Sequence, residues 1–142
     1  MLSITRKVEY ALIGLAHMAS LGPGTVVTVR GVSEQYGIPG KLLAKIFHEM
    51  RSANLLCSHQ GKNGGYSLAR KPGEVTLTDV INTIEGRADL VHCSGADGPP
   101  CPQSNGCNIQ SPMEALNSRL RSFLDSVTLE AFCVPQNRSE GV

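Results

Sequence analysis

No stretch of this chain approaches the roughly 18 to 20 consecutive apolar residues of a membrane span. The nearest approach is the run from Ala11 to Ala19, which follows Arg6-Lys7 in the manner of a targeting signal. Glu9 just ahead of it and His17 within it interrupt the apolar character, and its apolar residues recur at helical spacing, so the segment reads as part of the fold. A G-x-x-x-x-G-K-[ST] phosphate loop is also missing, as are the paired C-x-x-C knuckles common in structural zinc sites. No nucleophile is paired with a base and no acidic pair converges, which argues against an enzyme. Five cysteines, an odd number, are incompatible with a complete disulfide framework and suit a reducing, cytoplasmic setting.

What is present is a chain of 142 residues, 41% hydrophobic and 18% charged, enough for one compact domain with an appended element. Its net charge of +1 hides an asymmetry. Residues 1–71 carry nine Lys/Arg against three Asp/Glu (+6), and residues 72–142 carry four against nine (−5). A basic first half suggests a polyanionic partner, although surface charge also segregates by chance.

Ser3 reads as the N-cap of a first helix reaching about Leu21, with Val8, Ala11, Leu12, Leu15, Ala16 and Ala19 on one apolar face. Gly22 and Pro23 end it. Thr28 can cap a short helix over residues 29–36 that Gly37 stops, and Pro39 stands at the first position of a third helix. In that third helix Leu43, Ile46, Phe47 and Met50 form the buried stripe, while Lys41, Ala44, Lys45 and His48 form the opposite one.

Two helices joined by a glycine-containing turn make a helix-turn-helix pattern whose exposed stripe suits a DNA major groove. A solvated face of any three-helix domain would show the same lysines. The following segment strengthens the nucleic-acid reading. Residues 55–60 and 66–70 read as strands around Gly61-Lys62-Asn63-Gly64-Gly65, with Asn63-Gly64 supplying positive φ. A hairpin placed there is the wing of a winged helix. Its tip carries Lys62, and Lys71 follows, so a phosphate contact or minor-groove entry is expected. Cys57 falls mid-strand, where a small buried apolar role is expected.

Thr76-x-x-Asp79 reads as a capping box opening a helix over residues 77–85, stopped by Gly86. Later, Ser111-Pro112-Met113-Glu114 reads as a helix start, for a helix reaching about Ala131 with Leu116, Leu120, Phe123, Leu124 and Val127 on one stripe. Such a long amphipathic helix is suited to pairing with its copy in a two-fold dimer. Residues 134–142 read as a disordered tail.

Between these two helices lie Cys93, Cys101 and Cys107, separated by seven residues and then five in a Gly/Pro/Asn-rich segment. Such a segment forms neither helix nor strand, and thiolate-metal bonds would offset the entropy of ordering it. From the residues alone an iron-sulfur cluster, a zinc ion and metal-free thiol chemistry stay open, in that order. A metal or cluster carrier that never binds DNA is the rival from another class.

The order of first helix, winged helix-turn-helix with Gly61-Lys62-Asn63-Gly64-Gly65-Tyr66 closing the wing, three-cysteine segment and long last helix resembles the IscR/NsrR/RirA family of bacterial iron-sulfur transcription regulators. The resemblance covers residues 1–133. It implies a mainly α fold with a small β-hairpin: a winged helix-turn-helix domain over 1–86, a cluster-binding segment over 87–110, a dimerisation helix within 111–133 and the tail. It implies cluster ligation by Cys93, Cys101 and Cys107, with a [2Fe–2S] centre favoured over [4Fe–4S]. In some relatives a carboxylate from the partner's first helix is the fourth ligand, at the position of Glu9. In another branch a histidine three residues after the last cysteine fills that role, and Gln110 stands there instead. DNA contact is implied for Pro39, Gly40, Lys41, Ala44, Lys45, His48, Gln60, Lys62 and Asn63, on a palindromic operator. Ala44 and Gln60 replace a glutamate and an arginine of relatives, and the first cysteine gap is seven residues where relatives have five. Cluster state would then set the spacing of two recognition helices that must lie roughly 34 Å apart to meet successive major grooves.

Overall fold

The computed structural model describes residues 3–87 and 106–133. Within them the chain forms α1 (Arg6–Ser20), α2 (Val29–Tyr36), α3 (Gly40–Ser52), strands β1 (Leu56–His59) and β2 (Gly65–Leu68), α4 (Leu77–Glu85) and α5 (Gln110–Ser126), with 3₁₀ turns at Pro72–Glu74 and Leu129–Phe132. This is the expected mainly α fold with one antiparallel hairpin. Cys93, Cys101 and the tail lie outside the described residues.

Local signals explain most of the helices. Thr28 Oγ1 accepts from the Gly31 amide to open α2, and Gly37 closes it at φ +68°. Thr76 and Asp79 form a reciprocal capping box at α4: the Asp79 amide donates to Thr76 Oγ1 at 3.1 Å and the Thr76 amide to Asp79 Oδ2 at 3.0 Å. Two expected caps differ. Thr5, not Ser3, caps α1, because its Oγ1 accepts from the Val8 amide. Helix α5 begins a residue before Ser111, at Gln110, with Ile109 as a cap residue that makes no side-chain bond. It ends at Ser126, short of Ala131. Pro39 is the residue before α3, not its first. Its fixed φ suits that place, and its carbonyl accepts from the Leu43 amide.

The core lies where α1, α3 and α4 meet. Val8, Ala11, Leu15 and Met18 of α1 pack with Leu43, Ile46, Phe47 and Met50 of α3, and with Val32, Ile38, Leu55, Val75 and Val80. Phe47 and Tyr66 meet edge to face with ring centroids 5.4 Å apart, which couples the recognition helix to the hairpin.

The wing is anchored at its base. Strands β1 and β2 pair from Leu56↔Leu68 to His59↔Gly65. Val27 then pairs with Tyr66 on the far edge of β2, through amide-to-carbonyl bonds of 2.8 and 2.7 Å. Gly65 permits this approach, because a Cβ there would overlap the Val27 carbonyl oxygen. Positive φ falls at Gly61 and Gly65, not at Asn63-Gly64. The connection 60–64 is too long for a two-residue turn, so the reversal is spread between the two outer glycines. Cys57 is exposed, contrary to the burial expected, because in β1 only Leu56 is buried.

After α5 the chain returns to the body. Thr128 pairs with Thr76, the Leu77 amide donates to Val127 O and the Leu129 amide to Val75 O, each at 2.8 Å, and Leu129 is buried. Helix α5 itself buries only Asn117 and Leu124.

Candidate nucleic-acid interface

The exposed face of α3 is built by its buried one. With Leu43, Ile46, Phe47 and Met50 fixed in the core, Lys41, Ala44, Lys45 and His48 must point to solvent, and all four are exposed, as are Pro39 and Gly40 ahead of them. The wing residues Gln60, Lys62 and Asn63 are exposed on the adjacent loop. Ala44 presents only a methyl group, which lets a helix approach base edges closely. Lys41 and Lys45 flank it with mobile cations suited to phosphates or guanine.

Sequence reasoning missed the cleft between these two elements. His48 and Arg51 of α3, together with Ser58, His59 and Gln60 on the side of β1, line it. Arg51 continues the stripe of Lys41, Ala44, Lys45 and His48 by one more step of helical spacing, which is the signal that could have revealed it. His59 had no such signal, because its position depends on which way the hairpin folds back.

In sequence the cysteine segment lies between α4 and α5. Thr5 Oγ1 donates to Glu85 Oε1 at 2.6 Å, tying the start of α1 to the end of α4. The first turn of α1 carries Glu9, whose carboxylate is paired with Arg6 at 3.2 Å and whose side chain is 47% exposed. Cys107 is partly buried just ahead of α5. Gln110 donates from Nε2 to Glu114 Oε1 at 3.3 Å within the first turn of α5. Among the described residues no group of three His, Cys, Asp or Glu is placed to hold a metal ion. Those residues include only one of the three cysteines.

The apolar stripe of α5 divides between two environments. Leu124 is buried within the chain, Leu120 and Val127 are partly buried, and Leu116 and Phe123 are 48% and 62% exposed. Among the described residues no helix is long and apolar enough to cross a membrane.

A recognition-type helix with a solvated basic face, a glycine-tipped hairpin beside it and a core that locks the two together define a winged-helix DNA-binding protein. The model of the Rrf2 family, described as an iron-dependent transcriptional regulator, matches residues 4–135, and the chain belongs to that family. It is 31% identical over 128 residues to the HTH-type transcriptional regulator IscR of Aliivibrio salmonicida, covering 90% of this chain and 75% of that one. The solved structure of T. potens IscR is similar with a TM-score of 0.65 at 26% identity, covering 91% of this chain and 84% of that one. CymR, described as the global cysteine regulator of B. subtilis, shares the fold with a TM-score of 0.73 at 24% identity, covering 94% and 97% of the two chains. This protein is therefore a transcription regulator that binds DNA.

Proposed function

We propose that this regulator acts as a homodimer on a palindromic operator and senses iron, redox state or nitric oxide through an iron-sulfur cluster, of [2Fe–2S] type, held by Cys93, Cys101, Cys107 and the partner's Glu9. The observation that carries the reading is the position of the cysteine segment. In sequence it lies between α4, whose end is tied to the Glu9-bearing turn of α1 through Thr5 and Glu85, and α5, which leaves an apolar stripe exposed.

The donor set fits such a centre. Three thiolates and a carboxylate satisfy the soft and hard preferences of iron. Glu9 is half-exposed, and its only described partner is Arg6, an exposed ion pair that costs little to exchange. When bound, the cluster supplies a link that is sensitive to oxidants and to iron supply. The remaining steps belong to the chain itself. Leu116, Leu120 and Phe123 hold α5 against its copy, while Leu124, expected on the same stripe, is buried within the chain and Val127 is partly so. Helix α1 carries Glu9 at one end and packs on α3 through its buried face. A shift of α1 therefore moves the recognition helix, and with it the separation of Lys41, Ala44 and Lys45 from their copies. A coupling of only ~1 to 3 kcal/mol would change operator occupancy about 5- to 150-fold.

Visible absorption, with iron, sulfide and zinc content, on protein purified without oxygen tests the reading in wild type and Glu9→Ala. Sulfide-to-iron absorption with matched iron and sulfide is expected, and an altered spectrum in Glu9→Ala. Colourless protein with one zinc per chain would replace the cluster by zinc. Colourless, metal-free protein would leave thiol oxidation at the three cysteines as the sensing chemistry.

A further inference from the structure

Asn63 and Gly64 stand next to each other at the tip of the wing, and Asn63 is exposed. Lys62 and Asn63 take the two central places of a four-residue turn, which the Gly64 amide closes by donating to the Gly61 carbonyl at 3.0 Å. Only glycine fits at position 64. A Cβ there would lie 2.6 Å from the His59 carbonyl oxygen and 2.9 Å from that of Gly61, both backbone atoms that cannot turn aside. The packing of the hairpin therefore obliges Asn63 to be followed by glycine.

This pair has a chemistry that neither residue has alone. The carboxamide carbon of an asparagine, Cγ, is an electrophile that the backbone nitrogen of the next residue can reach by closing a five-membered ring. A side chain on that next residue obstructs the closure, and glycine has none. In the closure the Gly64 nitrogen gives up its proton, forms a bond to Asn63 Cγ and expels Nδ2 as ammonia. Water then opens the cyclic imide at either carbonyl, leaving aspartate or isoaspartate. Water is the only co-reactant, and an exposed tip meets it freely.

The turn holds this reaction back. While the Gly64 N–H donates to Gly61, its nitrogen is engaged there and not at Asn63 Cγ, so the turn has to open first. One backbone hydrogen bond at a hairpin tip is a modest restraint, equivalent to roughly a 2- to 10-fold reduction in the reactive population. A polyanion lying along the wing would hold the turn closed more firmly.

We propose that Asn63 is a self-modification site, converted to aspartate or isoaspartate when the free wing tip opens, and that the conversion lowers DNA affinity while bound DNA suppresses it. The new carboxylate stands beside Lys62 and offsets the cation at the tip. Isoaspartate also lengthens the main chain of the turn by one methylene. The inference rests on the wing's contact with DNA, and it makes the competence of the regulator decline with the time it spends off DNA.

The test uses the full-length protein, held at physiological temperature alone, in guanidinium chloride, or with an excess of a duplex selected from a random library. Conversion is followed by peptide-resolved mass spectrometry, so that Asn63 is scored apart from Asn105-Gly106, the other such pair in the chain. In the free folded protein Asn63 should convert about 2- to 10-fold more slowly than in denaturant, and more slowly again on the duplex. As wild type ages, its affinity should fall toward that of Asn63→Asp, roughly 3- to 10-fold below fresh wild type, with the salt dependence of log K flatter by up to about one. Asn63→Gln, which would have to close a six-membered ring, should keep its own starting affinity over the same period. Conversion in the folded protein more than about 100-fold slower than in denaturant would overturn the site, because the tip would then not open. A rate unchanged by duplex would overturn the protection, and equal affinity of fresh and fully converted protein would overturn the consequence for binding. Fresh wild type that selects no duplex overturns the DNA reading itself, a result separate from the rate of conversion at Asn63.

Discussion

Gly14 of α1 faces the ring of Phe47 of α3 so closely that a Cβ on Gly14 would lie 2.6 Å from Phe47 Cε1 and 2.9 Å from Cζ. Phe47 is fully buried, with 0% exposure, so its ring has nowhere to withdraw. Alanine would gain roughly 1 kcal/mol of helix propensity at position 14, but overpacking a dense core costs about 1 to 3 kcal/mol. Overlap with a rigid aromatic ring belongs at the upper end of that range. Gly14→Ala should therefore lower stability by a net 1 to 2 kcal/mol or so, seen as a lower urea midpoint with an unchanged slope. Unchanged or raised stability would mean that the α1–α3 contact has slack.

The base of the wing offers a second test. Gly65→Ala would drive a methyl group into the Val27 carbonyl and strain a backbone at φ +152°. The Val27–Tyr66 pair should open at a cost of about 2 kcal/mol or more. Amide exchange at Val27 and Tyr66 should speed up well before that of the α1 core. DNA affinity should fall with it, because the wing would no longer be held at a set angle to α3. Slow exchange at both amides would show that the pair tolerates a side chain.

Oligomeric state can be tested on the two faces of α5. Phe123→Asp places a charge on a residue 62% exposed in one protomer, whereas Leu124→Asp buries a charge at a residue 8% exposed. In the proposed dimer, Phe123→Asp should yield folded monomers by sedimentation equilibrium, and Leu124→Asp should lower the melting temperature sharply. A Phe123→Asp protein that still sediments as a dimer would move the interface off this stripe.

The two described cysteines outside the three-cysteine segment should differ in reactivity. Burial, and then the nearby Glu130 carboxylate, push the Cys133 thiol above its ordinary pKa, so less of it is thiolate at a given pH. Its Sγ also donates to Leu129 O at 3.2 Å. Cys57 is exposed on β1. Mass-resolved alkylation near neutral pH should label Cys57 ahead of Cys133, with Cys133 catching up as pH rises. Faster labelling of Cys133 would contradict its packing against the Leu129–Phe132 turn.

Several sequence expectations misplaced a feature by a few residues, for a common reason. Ser3 and Ser111 have the chemistry of N-caps, yet Thr5 caps α1 and Ile109 precedes α5. Hydroxyls are interchangeable as local signals. Which one serves is settled by where the helix must start to bring Val8 into the core and by the bond from Thr5 to Glu85. Cys57 was expected inside because strand alternation says only that one face is buried, not which.

What the sequence determined by itself is what depends on neighbours three or four residues away. The caps of α2 and α4, the buried stripe of α3 with its exposed opposite and the existence of a wing all follow from short-range hydrogen bonding, turn chemistry and helical periodicity. Only the tertiary structure decided the Val27–Tyr66 and Thr76–Thr128 pairings, the fit of Gly14 to Phe47, the division of the α5 stripe, and the cleft that joins Arg51 to His59. Each is a meeting of distant segments, and its register is set by how whole elements pack.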